Sequence, residues 1–267
     1  MSFHKLSFIV IFSILCSISC LAQDSDPVPI MGQKALKAML KYHIDYPKEE
    51  LKNNTQGTVA IDFTADKAGK IIDYHISKSV SPKLDSSALS IFKLILWKPA
   101  TSRGRVVNGK SNFEIKYNVK SFQKLSRKRG YKHITLPITT VDNSGTIYNL
   151  KQVDTIPKAI LEAETKSVTE FIYSELTYPD AALKLGLEGE VKVSFIIETN
   201  GIPSNIITEK HLGAGCTEEA IKIIETIKWT PGIKNNKAVR THYMLSVAFK
   251  KPENRDGHIP NQAGSGI

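Results

Sequence analysis

The chain has 267 residues, 41% of them hydrophobic and 23% charged. This ordinary globular composition excludes a chain disordered throughout and a collagen-like repeat. Three cysteines are too few for a disulfide scaffold. The net charge of +10 suits nucleic acid, an anionic membrane surface or an anionic polymer, and it is equally compatible with a basic soluble protein.

Residues 1–22 predict an export signal. Lys5 precedes an apolar run from Leu6 to Leu15, and small residues follow, which is the order of charge, apolar core and cleavage site in a secretory signal. Cleavage after Ala22 gives a periplasmic protein, whereas lipidation of Cys20 gives an outer-membrane lipoprotein. An uncleaved anchor is the third alternative, although the run is short for a membrane span.

Rare residues recur at a fixed offset of 132 positions. Both tryptophans of the chain fall on it. The matching motifs are Tyr46-Pro47 with Tyr178-Pro179, Gly69 with Gly201, Ala88 with Ala220, and Trp97-Lys98-Pro99 with Trp229-Thr230-Pro231. This repetition predicts two copies of one structural unit.

Each copy has the same order of predicted elements. A short helix (33–41 in the first copy) precedes Tyr-Pro and a second short helix. Two strands then alternate apolar and polar residues around a glycine turn, a longer helix ends at Trp-x-Pro, and a last strand follows at 113–119 or 243–249. The predicted fold class is α+β, with two repeated domains that each hold a three-stranded antiparallel sheet packed by short helices.

The predicted layout is a signal peptide at 1–22, a first domain at 33–119, a basic linker at 120–160, a second domain at 161–250 and a flexible tail at 251–267. The linker's basic residues have two interpretations, a solvated tether or a contact with anionic lipid or cell-wall polymer. They are Lys120, Lys124, Arg127, Lys128, Arg129 and Lys132.

Together these motifs resemble the C-terminal domain of TonB-family proteins. They include Leu84-Asp85 with Ala88-Leu89 in copy one, Gly189–Phe195 in copy two, and the two Trp-x-Pro segments. The resemblance implies a periplasmic, non-enzymatic module that pairs a sheet edge with an extended segment of an envelope partner such as a TonB-dependent outer-membrane transporter. Only about ten residues separate the signal from copy one, so we expect a double binding module rather than a bridge between two membranes.

We expect the last strands to carry the binding edges, because an edge strand offers unpaired N–H and C=O groups. The predicted partner-binding residues of these strands are Phe113, Ile115, Tyr117, Val119, Tyr243, Leu245, Val247 and Phe249, and the structural motif residues are Tyr46, Pro47, Trp97, Pro99, Tyr178, Pro179, Trp229 and Pro231. The alternative is a structural adapter that forms a homodimer or binds the cell wall. We expect no cofactor, metal or nucleic acid, and membrane contact only through lipidated Cys20.

One motif is a false match. Residues 104–111 read GRVVNGKS and fit the phosphate-loop pattern. That chemistry requires a helix directly after the loop, whereas the alternation here predicts a strand.

Overall fold

The computed structural model describes residues 24–129, 140–161 and 167–250. These residues form two hydrophobic cores, one within residues 36–119 and one within residues 172–249. The predicted signal with Cys20 and the predicted tail at 251–267 lie outside the described residues.

The first domain begins earlier than predicted, because residues 24–29 pair with it. Ser25 exchanges backbone hydrogen bonds with Thr101, both at 2.9 Å. Its elements are β1 (Val28–Pro29), α1 (Gly32–His43), α2 (Lys48–Lys52), β2 (Gly57–Ala65), β3 (Ile71–Lys78), α3 (Pro82–Phe92), β4 (Trp97–Lys98), β5 (Ala100–Ser102), β6 (Arg105–Val107), β7 (Gly109–Tyr117) and α4 (Val119–Arg129).

The predicted linker at 120–160 contains structure, which corrects its description as a plain tether. It starts inside α4, and its described second part carries β8 (Ile147–Tyr148) and β9 (Lys158–Ile160). Strand β8 pairs in parallel with the last strand of the second domain, and β9 pairs with the strand that holds Trp229. The segment therefore belongs partly to the second domain.

The second domain repeats the order of the first. Its elements are α5 (Val168–Glu175), α6 (Asp180–Leu185), β10 (Gly189–Ile197), β11 (Pro203–Lys210), α7 (Cys216–Thr226), β12 (Lys228–Thr230), β13 (Gly232–Lys234) and β14 (Lys237–Phe249). Cys216 is a buried free thiol at the start of α7, where it packs as a small apolar residue.

The predicted fold class, α+β with two repeated domains, is confirmed. The first domain has the expected three-stranded antiparallel sheet in the order β3-β2-β7. The second has the equivalent strands β11-β10-β14, and pairing of β14 with β13 and β8 enlarges its sheet to five strands. The extra strands come from the Trp-Pro hairpin and the linker, neither of which shows strong alternation in the sequence.

The glycine of each repeat lies against the backbone of the tryptophan, and this contact requires glycine for a steric reason. Gly69 has φ +79°, and a Cβ at this position would lie 2.0 Å from the Trp97 carbonyl oxygen. Gly201 has φ +76°, and a Cβ at this position would lie 1.9 Å from the Trp229 carbonyl oxygen. Only glycine combines this conformation with such a close backbone approach.

The tyrosine of each Tyr-Pro motif fixes a loop to the core. The Tyr46 hydroxyl donates to the Thr55 carbonyl, and the Tyr178 hydroxyl donates to the equivalent Leu187 carbonyl. The prolines that follow are the N-cap residues of α2 and α6. The motif therefore ties the start of a short helix to the loop before the first long strand.

A buried polar network joins the two domains. The Asn205 amide donates to the Leu94 carbonyl at 2.8 Å and accepts from the Leu96 N–H at 2.9 Å. Arg240 donates to the same Leu94 carbonyl at 2.8 Å, and its guanidinium forms two 2.8 Å hydrogen bonds to Glu198. Since Glu198 and Arg240 are 1% and 7% exposed, the network is shielded from water and its bonds are correspondingly strong.

This network lies where the two copies differ in sequence. The first domain has Asp66 in place of Glu198 and Asn108 in place of Arg240. Asp66 caps its own turn, accepting from the Ala68 and Lys70 N–H groups at 2.8 and 2.9 Å. The equivalent positions thus cap a turn in the first domain and form a contact between domains in the second.

We predict that Gly69→Ala destabilises the protein much more than Gly32→Ala. Gly32 has nearly the same φ, +76°, but a Cβ there meets nothing within 4 Å. The shared conformational penalty is about 1–2 kcal/mol, and overlap with the Trp97 carbonyl raises the Gly69→Ala loss to about 3–4 kcal/mol. Urea unfolding of both variants, followed by circular dichroism, checks this. Equal losses would contradict the steric explanation.

We also predict that Asn205→Gly weakens the coupling of the domains. Asn205 has φ +48° and Asn235 has φ +49°, so Asn235→Gly is a matched control that changes the same residue type in the same conformation on an exposed turn. Loss of the buried bonds to Leu94 and Leu96 costs about 1–3 kcal/mol. Nitrogen-15 relaxation should report independent tumbling of the domains only in Asn205→Gly. Unchanged tumbling in that variant would show that other contacts hold the domains.

Candidate functional site

The last long strand of each domain lies at an edge of its sheet. Strand β7 pairs with β2 from Gly109 to Tyr117, and β14 pairs with β10 from Thr241 to Phe249. Within the described ranges, no strand pairs with the other side of β7 or with the other side of β14 beyond Thr241. Both predicted strands therefore have an edge at which another chain can hydrogen-bond.

The side chains of the predicted site residues on β7 and β14 are buried or partly buried in the cores. In β7 the side chains of Phe113, Ile115 and Tyr117 are buried, so these residues offer a partner their backbone alone. In β14 the side chains of Val247 and Phe249 are fully buried, and those of Tyr243 and Leu245 are partly buried. Burial raises the pKa of Tyr117 to about 12, which agrees with its place in the core.

Val119 is a correction to the predicted edge. The strand ends at Tyr117, and Val119 is the first residue of α4. Val119 continues the alternation of buried positions because it is still 6% exposed and packs on the same core. Burial persists across the strand-to-helix junction, so the pattern does not reveal where the strand stops.

The side chains that flank the β7 edge on its outward face are polar and mostly exposed. They are Lys110, Asn112, Glu114 and Lys116. Hydrogen bonds from the Asn112 amide and the Ser77 hydroxyl lower the pKa of Asp62 on the neighbouring strand. In β14 the equivalent face carries exposed His242, Met244 and Ser246. The two edges thus combine similar backbones with different side-chain chemistry.

Sequence reasoning missed the segments that cover the short hairpins. Asp24 accepts from the Arg103 N–H at 2.7 Å, and Asp154 accepts from the Asn235 N–H, also at 2.7 Å. The signal was present, because an aspartate followed by serine or threonine precedes each domain, at Asp24-Ser25 and Asp154-Thr155. The two pairs lie 130 positions apart, so a search at the fixed offset of 132 does not align them with the other repeated motifs.

Across the described ranges, no group of three His, Cys, Asp or Glu side chains is arranged to hold a metal ion. The helices of these ranges are too short or too polar to span a bilayer. The segment 104–111 contains strand β6 and the start of strand β7 and leads into no helix, so it lacks the helix N-terminus that phosphate binding in a phosphate loop uses.

Comparison with protein families gives a match to both halves of the chain. The model described as "Gram-negative bacterial TonB protein C-terminal" matches residues 42–119 and 174–250. The chain belongs to this family. Its two TonB C-terminal domains are those that hold the two cores, and such domains are non-enzymatic interaction modules of the cell envelope.

Two NMR solution structures of the Helicobacter pylori TonB C-terminal domain match. One is 21% identical, with a TM-score of 0.26, and the match covers 32% of this chain and 78% of that one. The other is 27% identical, with a TM-score of 0.25, and the match covers 31% and 88%. Comparison with curated proteins gives no match.

Proposed function

We propose that the protein is a non-enzymatic, exported envelope module whose TonB C-terminal domains bind extended segments of partner proteins, such as TonB-dependent outer-membrane transporters, by strand addition. The outer edges of β7 and β14 are the docking sites. The observation that carries the proposal is the row of β7 backbone groups without a described strand partner from Gly109 to Tyr117. Cleavage after Ala22 would remove Cys20 and leave the module in the periplasm, whereas in the alternative a lipidated Cys20 would anchor it to the outer membrane.

The physical basis is backbone hydrogen bonding. An edge strand leaves every second residue's N–H and C=O to water, and an extended peptide replaces that water with a regular ladder. The buried Phe113, Ile115 and Tyr117 hold the strand against the core, which fixes the position of the edge before binding. Preorganisation of this kind reduces the entropy lost on association.

Two docking edges in one chain favour a partner that presents two segments. The network of Asn205, Arg240 and Leu94 fixes the domains relative to one another. Once one segment is bound, the second binds at a high effective concentration if its spacing fits, and the combined affinity then exceeds that of either edge.

We predict that a transporter N-terminal peptide added to the full chain shifts amide NMR signals along β7 and along the 242–249 part of β14. Signals of the opposite edge strands, β3 and β11, should not move. A peptide of the same sequence with alternate backbone nitrogens methylated is the matched control, since it keeps the side chains and loses the donors. Identical shifts with both peptides, or none with either, would contradict strand addition.

A second candidate function, binding to cell-wall polymer, is favoured by the surface of α4. Phe122 packs on Tyr46 with ring centroids 5.2 Å apart, which fixes one face of the helix to the core. Lys120, Lys124 and Arg127 are exposed and follow helical spacing, so they form one basic stripe. A stripe of this kind attracts an anionic polymer in a salt-dependent manner.

For this candidate we predict that reversing the charges of Lys120, Lys124 and Arg127 to glutamate abolishes sedimentation of the protein with isolated cell wall. The control reverses three exposed lysines elsewhere on the first domain, giving the same net charge. They are Lys67, Lys70 and Lys78. Equal loss in both triple variants would mean that the overall charge, rather than the α4 stripe, governs the interaction.

A further inference from the structure

Strand β6 of the first domain has a backbone edge without a partner among the described residues. In the β5–β6 hairpin, Arg105 pairs with Ser102 and Val107 with Ala100. These are the positions that exchange hydrogen bonds across a two-residue turn. The N–H and C=O of Val106 therefore point away from β5, and its side chain is 46% exposed.

The same edge in the second domain is filled by the chain itself. Ala238 occupies the position of Val106 at the offset of 132. Its N–H donates to the Thr140 carbonyl and its carbonyl accepts from the Asp142 N–H, both at 2.9 Å. Val141 forms the parallel bridge between these bonds, and Ala238 is 1% exposed. The extended segment 140–142 therefore accounts for the burial of Ala238 where Val106 is exposed.

The strands of the two hairpins pair in the same register, so Val106 and Ala238 can be compared position by position. Thr101 in β5 exchanges two backbone hydrogen bonds with Ser25, and Ile233 in β13 exchanges the equivalent bonds with Thr155. Each hairpin therefore has a strand segment on its first side. On the other side of the hairpin, residues 140–142 pair with Ala238 in the second domain, whereas no described residue pairs with Val106 in the first.

The charge near this edge indicates what fits it. Hydrogen bonds from the Ser144 backbone N–H and hydroxyl lower the pKa of Asp142, and the charge of Lys237 lowers it further. Arg105 occupies the position of Lys237 in the first domain, and both Arg105 and the neighbouring Arg103 are exposed. A carboxylate placed like that of Asp142 would therefore face a cation in either domain.

We propose that the open edge at Val106 binds an extended segment of another protein, parallel to β6, in which a β-branched residue is followed by a carboxylate, as Val141 is by Asp142. This site is separate from the β7 edge, and it extends the proposed function by giving the first domain a second contact with a defined ligand chemistry. The chain's own residues 140–148 do not compete for it, because they are already paired with β14 in the second domain.

The test uses a labelled nine-residue peptide, TVDNSGTIY, with the sequence of residues 140–148, and the full chain. Fluorescence anisotropy measures its dissociation constant. Val106→Pro removes an N–H that faces away from β5, so the hairpin keeps its own bonds, and Val106→Ala keeps that N–H. We expect about tenfold weaker binding for Val106→Pro and a change within about twofold for Val106→Ala.

A second measurement stays decisive if Val106→Pro does not fold. We expect replacement of the peptide aspartate by asparagine to weaken binding to the unchanged protein by about threefold, and we expect Arg105→Ala to remove that difference. Absence of binding at millimolar peptide overturns the proposal, as does equal binding by the Val106→Pro and Val106→Ala variants. A peptide aspartate effect that persists in Arg105→Ala overturns it as well.

Amide NMR separates this proposal from strand addition at β7. Peptide shifts centred on Arg105–Val107 support the β6 site. Shifts confined to β7 overturn the β6 site and leave the proposed function intact. Shifts confined to 237–241 show that the peptide exchanges with the chain's own segment on β14, and they also overturn the β6 site.

Discussion

Satisfaction of backbone hydrogen bonds at strand edges is the constraint around which both domains are organised. A buried N–H or C=O without a partner costs about 1–3 kcal/mol, so an edge must be paired, covered or left in water. Ser25 pairs with β5 and Thr155 pairs with β13, which covers one edge of each short hairpin. Residues 140–142 pair with β14 at Ala238 and cover the other edge of the hairpin in the second domain. Among the described residues, no strand pairs with the outer edge of β7, so its backbone groups face water.

The two copies differ in sequence at the residues where they meet. Glu198, Asn205 and Arg240 replace residues that serve local roles or face solvent in the first copy, and together they bind the loop that follows α3. Removing one partner of such a buried ion pair is expensive, because the remaining charge has no water to solvate it. The second domain thus contacts both the first domain and the linker, and among the described residues more strand edges of the first domain have no strand partner.

The sequence predicted the repeat, the fold class and most of the core, and it did so for identifiable reasons. Gly69 and Gly201 recur because a Cβ at either position would overlap a backbone carbonyl oxygen, and Trp97 and Trp229 recur as buried residues of the two cores. The alternation of Phe113, Ile115 and Tyr117 predicted a strand with one buried face, which the structure has. Val119 was assigned to that strand because a buried position continues the pattern whether the backbone is extended or helical.

By itself, then, the sequence determined the elements whose signals are local: periodic burial, turn glycines and the motifs that repeat with them. The tertiary structure decided which edges remain open, how the linker runs beside β14 and which polar residues join the domains. These features depend on backbone groups, which are the same in every residue type, and on contacts between residues such as Leu94 and Arg240 that are far apart in the chain. Apart from the Asp-Ser and Asp-Thr pairs at 24–25 and 154–155, local patterns of side chains do not record where such groups find their partners.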